Sequence, residues 1–238
     1  MTGPETQDIS AALRDVFGYD SFRPHQEEIV AGLVTGRDAF VVMPTGGGKS
    51  LCYQLPARLL PGVSVVVSPL ISLMKDQVDA ARGNGLHAAY LNSSLSFPEQ
   101  RRVLGRLRQG RLDLLYVAPE RFGSPDFTSA LEDAEVALFA VDEAHCISEW
   151  GHDFRPDYME LSRLVRDFPR SAVAAFTATA TEQVQADILR RLGLRDPLRV
   201  RASFDRPNLF YSISPKTSVE RQILQYVRER GDEPGIVY

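Results

Sequence analysis

One short stretch limits what this chain can fold into more than any other. The apolar residues 40–43 run straight into Pro44-Thr45-Gly46-Gly47-Gly48-Lys49-Ser50, and a helix-like segment follows. A strand that ends in a glycine-rich loop and turns directly into a helix makes a phosphate cradle. The glycines let the backbone curl so that successive N–H groups face inward, and the helix N-terminus adds its positive end. Thr45, Gly46, Gly47, Gly48, Lys49 and Ser50 are therefore candidate nucleotide-binding residues. Lys49 is placed to reach the β- and γ-phosphates, and the Ser50 hydroxyl to ligate Mg²⁺. The strict pattern opens on glycine, and Met43 stands at that position instead.

The surrounding pattern fits such a loop. Residues 39–43, Val63–Val67, Ala88–Leu91, residues 112–117, Val136–Val141 and residues 172–176 read as strands. The second and fifth of these are almost continuously apolar, as expected of strands buried on both faces. Helix-like segments lie between them. Residues 70–82 put Leu70, Leu73, Met74, Val78 and Ala81 on one stripe. Ser96 and Glu99 bracket a capping box with Pro98 inside the first turn, and residues 181–192 read as a helix ended by Gly193. Strand–helix alternation predicts an α/β fold: a mostly parallel sheet with helices on both faces. The tail differs. Residues 203–215 read as a connector with a short strand, Val219–Arg230 as a helix, and residues 235–238 as the opening of another strand. The expected organisation is a first domain over residues 1–207, then a linker and the truncated start of a second over residues 208–238.

A second acidic motif completes the nucleotide chemistry. Val136–Val141 ends in Asp142-Glu143-Ala144-His145, and the C-terminal end of a buried parallel strand is where such sheets bind ligands. Asp142 is expected to hold Mg²⁺, and Glu143 to orient and deprotonate an attacking water. Paired carboxylates tolerate one another when a divalent cation lies between them and a triphosphate. With the phosphate loop this implies in-line attack of water on a γ-phosphate. The arginine that this chemistry also needs has no clear motif here, and is expected on the missing part of the second domain.

The motifs Phe17-Gly18-Tyr19, Phe22-Arg23-Pro24-His25-Gln26, residues 43–53, residues 68–77, Ala118-Pro119-Glu120-Arg121, residues 142–157, Thr177-Ala178-Thr179-Ala180 and residues 203–208 together resemble the RecQ DNA helicases of superfamily 2. The run Cys146 to Pro156 is the most specific part of that resemblance. It covers the chain from about residue 13 onward. It implies a RecA-like P-loop NTPase domain, ATP and Mg as cofactors, His145 as part of the catalytic set, and three-prime to five-prime unwinding when two such domains close on ATP. Zinc-binding, winged-helix and C-terminal DNA-binding parts found in many members are not in this chain.

The resemblance also assigns roles. Tyr19 and Arg23 would sandwich adenine and Gln26 would bond its edge. A phenol and a guanidinium both stack on purines, and an amide offers the donor and acceptor that adenine needs. Trp150, His152, Phe154 and Arg155 would sense single-stranded DNA, because aromatic faces stack on unpaired bases without reading sequence. Ser68, Pro69, Leu70 and Lys75 would touch the DNA backbone, while Thr177 and Thr179 bridge the acidic site to the DNA path. Implied partners are single-stranded and duplex DNA, with single-strand-binding or recombination proteins beside them.

Composition bounds these readings. Lys plus Arg number 27 and Asp plus Glu 31, a net charge of −4, so DNA contact must come from local patches. The arginine-rich stretches around residues 101–111 and 190–201 read as solvated surface. Two cysteines, Cys52 and Cys146, read as reduced thiols of a cytoplasmic protein, with a zinc site not expected. No apolar run approaches the roughly 18 residues of a membrane span, and residues 1–10 are not a secretory signal. The competing readings are another superfamily 2 translocase, one acting on RNA among them, and a non-motor P-loop switch or kinase; the isolated 238 residues are themselves expected to bind ATP but to turn it over and unwind poorly, because half the cleft is missing, and a binding-only fragment is the third reading.

Overall fold

A strand whose two faces are both covered must be apolar on both, and the valine-rich runs show where the sheet has its centre. The computed structural model describes residues 6–203, 209–231 and 233–237. In chain order its elements are α1 (Thr6–Phe17), α2 (Gln26–Val34), β1 (Ala39–Val42), α3 (Lys49–Leu59), β2 (Val63–Val67), α4 (Ile71–Gly83), β3 (Ala88–Leu91), α5 (Phe97–Arg108), β4 (Leu114–Val117), α6 (Pro125–Glu132), β5 (Val136–Val141), α7 (Leu164–Asp167), β6 (Ala172–Thr177), α8 (Glu182–Leu192), β7 (Leu198–Arg201) and α9 (Val219–Arg230). The strands form one sheet in the order β3-β4-β2-β5-β6-β1-β7, and every pairing is parallel. β5 is central and β2 its neighbour, so the two runs that read as buried strands are the middle of the sheet.

Side-chain alternation along the strands builds a core on each face. Phe40, Val42, Val65 and Val141 pack with Leu107 of α5, Phe127 of α6 and Ile188 of α8. Val41, Val66, Ala140 and Phe176 pack with Ile29 of α2, Tyr53 of α3 and Val78 of α4. Because all strands run the same way, their C-terminal ends share one edge. The loops after β1, β2, β5 and β6, which carry every motif singled out above except the adenine segment and the 118–121 and 203–208 stretches, leave from that edge.

The chain divides into two compact units, Met1–Phe204 and Asp205–Tyr238. The second holds α9, an amphipathic helix with Leu224, Tyr226 and Val227 exposed. Neither strand expected in the tail is present among the described residues: 209–217 and 233–237 are irregular, since a strand needs a neighbour to pair with and this unit supplies none. Of the 203–208 motif, all but Ser203 lies outside the described residues, as do residues 1–5 and Tyr238.

Three further expectations change. α4 begins at Ile71, so Leu70 is its N-cap and is 39% exposed, and Leu73 is 48% exposed; the buried stripe is Met74, Val78 and Ala81. β7 was not legible, because only Leu198 and Val200 turn inward on this edge strand while Arg199 and Arg201 face out. Arg195 is no idle surface group: its guanidinium and backbone N–H hold the buried Asp38 carboxylate, which also accepts from Val173 N. The capping box at Ser96 forms, and Thr181 caps α8, which stops at Gly193. Among the described residues no helix is long and apolar enough to cross a membrane. Both cysteines are buried free thiols, each pushed up to about 12, chiefly by burial.

Candidate functional site

The phosphate loop is held from outside itself. Arg23 donates to the Gly46 carbonyl at 2.9 Å. Gln26 is buried; its Oε1 accepts from Arg23 N at 2.9 Å and its Nε2 donates to the Gly48 carbonyl at 3.1 Å. Gly48 has φ +86, and a Cβ there would stand 2.4 Å from Gln26 Nε2, so only glycine fits. Arg23 and Gln26 of the expected adenine segment are thus one assembly with the phosphate loop; Tyr19 is 55% exposed. Lys49 Nζ donates to the Met43 carbonyl at 3.1 Å, and Thr45 and Gly46 are exposed.

The acidic end of β5 faces the same place. Ser50, Ser68, Leu70 and Asp142 line one cleft with Tyr53 and Gln77. Burial, and then the Glu143 charge, push the Asp142 carboxyl up to about 6, while Glu143 N–H and Lys49 oppose the shift. Tyr53, also buried and held protonated by desolvation, donates to Ser50 Oγ at 3.3 Å. Hard oxygen donors from a hydroxyl and a carboxylate, beside an ammonium, are the set that suits Mg²⁺ with a phosphate. Glu143 takes a left-handed conformation, φ 47, uncommon for a residue with a side chain and concentrated at functional sites.

That turn brings Glu143 Oε2 to 3.3 Å from His145 Nδ1, which also lies 3.0 Å from Thr177 Oγ1. Burial holds the His145 imidazole below its ordinary pKa, against the pull of Glu143, so the ring is neutral at pH 7. Its face stacks on His152, centroids 4.3 Å apart. Thr177 is fully buried, whereas Thr179 is exposed. Ser68 is buried too, its hydroxyl accepting from Leu70 N, while Lys75 is exposed on α4.

The aromatic run divides by exposure. Trp150 is 65% exposed and Phe154 37% exposed, but Tyr158 is fully buried and donates to the Asp142 carbonyl at 3.0 Å. The segment folds back on the acidic motif: Arg155 N donates to Cys146 O, and a Cβ on Gly151 would come within 2.5 Å of His145 O. Arg155 grips Asp153 through Nε and a terminal nitrogen, at 3.1 and 2.9 Å. His145, Cys146 and Asp153 offer donor atoms within 4.8 Å of one another, but Arg155 already occupies that carboxylate. Tyr158 as a tether of Asp142 was not anticipated; its place in the aromatic run was the only available signal.

Residues 23–187 match the description DEAD/DEAH box helicase. The chain belongs to that family. Membership implies use of ATP. The chain is 47% identical over 235 residues to the ATP-dependent DNA helicase RecQ of Pasteurella multocida, covering 99% of this chain and 37% of that one. It is 44% identical over 228 residues to the RecQ helicase of Bacillus subtilis, covering 95% and 39%. The RecQ resemblance read from the motifs therefore holds across nearly the whole chain, which spans somewhat over a third of the length of these relatives. The RecA-like fold holds as well: a hypothetical ATP-dependent RNA helicase from Sulfolobus tokodaii superposes with TM-score 0.63 at 20% identity, over 83% of this chain and 57% of that one.

Proposed function

We propose that this chain is the ATP-binding motor domain of a RecQ-type DNA helicase. It binds and hydrolyses ATP with Mg²⁺, couples this to single-stranded DNA, and takes part in three-prime to five-prime unwinding in the complete protein. The observation that carries the reading is the cleft shared by Ser50 and Asp142, with Lys49 acting on the same carboxylate. Residues 1–207 are assigned as the first RecA-like domain and residues 208–238 as the linker and start of a second. A cytoplasmic location belongs to the same proposal.

The geometry supports the following roles. Tyr19 and Arg23 offer flat faces for the adenine, and Gln26 keeps one N–H and one lone pair beyond its bonds to Gly48 and Arg23. Amides of residues 45–50 cradle phosphate, and Lys49 exchanges its Met43 carbonyl for phosphate oxygens. Ser50 and Asp142 would hold Mg²⁺, which when bound neutralises triphosphate charge. Glu143 orients the attacking water and accepts its proton, and neutral His145 ties Glu143 to Thr177. Trp150 and Phe154 stack on unpaired bases, with His152 and Arg155 interleaved. Leu70, Lys75 and Thr179 face the backbone of the strand; Pro69 and the buried Ser68 and Thr177 act by positioning.

Calorimetric titration with Mg·ATP tests this. The chain is expected to bind, and Lys49→Ala to weaken binding on the order of ten- to a hundredfold, the loss of charge-assisted bonds to phosphate. Equal affinity of the two proteins would refute the assignment.

A further inference from the structure

The segment that carries Trp150 is fastened at its root to a helix that the helicase reading leaves without a task. Asp187 lies in α8 with its side chain 4% exposed, an uncommon place for a carboxylate unless it is paired. It accepts from Arg190 and from Arg191 Nε, the latter at 3.0 Å. Ser148 is itself fully buried, and its Oγ accepts from the Trp150 backbone N–H at 3.3 Å. The observed link from α8 to this stretch runs through Arg191, which reaches Glu149, the residue between Ser148 and Trp150.

Arg191 makes that link. Its side chain is 17% exposed, and each nitrogen of its fork has a different partner. Nε holds Asp187 of its own helix, one terminal nitrogen holds Glu149 Oε1 at 2.9 Å, and the other meets Met159 Sδ at 2.9 Å. An ordinary pair one helical turn apart would lie in solvent and stabilise little. Here the pair is withdrawn from water and aimed at the residues on either side of the aromatic segment. A lysine keeps the charge but cannot reach three acceptors in one plane.

We propose that Asp187 and Arg191 are positioning residues: a clasp on α8 that fixes the root of the aromatic segment and so sets where Trp150 meets single-stranded DNA. The inference rests on the reading of Trp150 as a DNA contact. It adds a physical route. The same stretch of chain, residues 177–192, touches the acidic motif at Thr177–His145 and the ends of the aromatic segment at Arg191–Glu149 and Arg191–Met159. Thr177 closes β6 and α8 follows after a short turn, so a rearrangement of that stretch reaches both contacts, the kind of element that coupling needs.

Trp150 is the only tryptophan of the chain, so its emission reports this position alone. Its ring is already exposed, so the informative quantity is its motion rather than its access. Time-resolved anisotropy of the free protein, and titration with a single-stranded oligothymidine, are compared for wild type, Arg191→Lys, Glu149→Gln and the control Arg190→Lys, whose residue holds Asp187 but does not reach the segment. The nanosecond component is expected to grow in Arg191→Lys and Glu149→Gln. The half-saturating oligonucleotide is expected to rise about tenfold in Arg191→Lys, the weight of one charge-assisted pair, and to stay at the wild-type value in Arg190→Lys. Glu149 is 63% exposed, so Glu149→Gln keeps the test decisive if Arg191→Lys fails to fold. Unchanged anisotropy and unchanged half-saturation, with wild type responding to the oligonucleotide, would overturn the clasp and leave the Trp150 reading standing. A wild-type emission indifferent to the oligonucleotide would overturn that reading, while the anisotropy would still decide whether α8 holds the segment.

Discussion

The phosphate-loop end and the aromatic segment leave the same sheet edge, from β1 and β5 with β6 between them, yet they are stabilised in opposite ways. At the loop, side chains are matched to backbone carbonyls: the buried Gln26 to Gly48, the half-buried Lys49 to Met43 and the exposed Arg23 to Gly46. At the aromatic segment, the rings with work to do lie in solvent, and what holds them is side-chain ion pairs at the root, Arg155 with Asp153 and Arg191 with Glu149. The first arrangement fixes a cradle whose geometry must be ready before its ligand arrives. The second leaves rings that can reorder about that root at low cost, since Asp153 and Glu149 are themselves partly exposed. The two ends differ in what they leave unfavourable: a buried, repelled carboxylate at one and uncovered aromatic surface at the other.

Asp142→Asn breaks the comparison most strongly, because it removes the unfavourable charge at the rigid end. The folded carboxyl lies at about 6, above the ordinary 3.8, so the folded state holds its proton more tightly than the unfolded one. Stability from this group is complete below the ordinary carboxylate value and is lost as pH rises through about 6. Without divalent cation, the asparagine variant is expected to be more stable than wild type by up to about 3 kcal/mol at pH 8, at 1.36 kcal/mol per unit. The advantage shrinks steadily toward pH 4. Urea unfolding in EDTA at pH 8 and pH 4 checks it; a gap that widens on acidification contradicts the burial argument. Mg²⁺ affinity is expected to run the other way, rising with pH through about 6.

Trp150→Ala sharpens the opposite end. A side chain 65% exposed contributes little to folding, so the unfolding free energy is expected to move by less than about 0.5 kcal/mol. Loss of one base stack is expected to weaken single-strand binding by about 1–3 kcal/mol. Polarisation of a labelled oligonucleotide reads the second and urea unfolding the first. If stability falls and binding does not, Trp150 is core and the contrast between the two ends is wrong.

The central strands were legible because burial on both faces forces an unbroken apolar run, as at Val63–Val67 and Val136–Val141. The cradle was legible because few backbones need Gly46-Gly47-Gly48 before a lysine. The edge was not: at β7 half the side chains face water, and an alternating Leu-Arg-Val-Arg reads as surface. Leu70 and Leu73 misled for a related reason. Apolar spacing predicts a stripe but cannot reveal that a helix starts one residue later and leaves two leucines beside the cleft. Asp187 and Arg191 were invisible as a clasp, since a charged pair on a helix has the same spacing whether it meets solvent or a neighbouring segment.

Tyr158 offers the finest test, because it belongs to the aromatic run in sequence and to the rigid end in space. Its ring is fully buried and its hydroxyl donates to the backbone carbonyl of Asp142, the residue that leaves the sheet for the acidic motif. Tyr158→Phe keeps the ring's packing and deletes only that donor. The expected cost is about 1 kcal/mol of stability, the net worth of one buried hydrogen bond. If the bond does nothing more, Mg·ATP affinity stays at the wild-type value. If it aims Asp142 at the cleft, affinity falls with it, and the effect is expected to be larger at pH 8, where the carboxylate is ionised, than at pH 5. Measuring unfolding and nucleotide binding on the same variant separates these outcomes. A variant as stable as wild type, with unaltered binding, would show that the turn after β5 is held by the sheet and the Glu143 backbone alone.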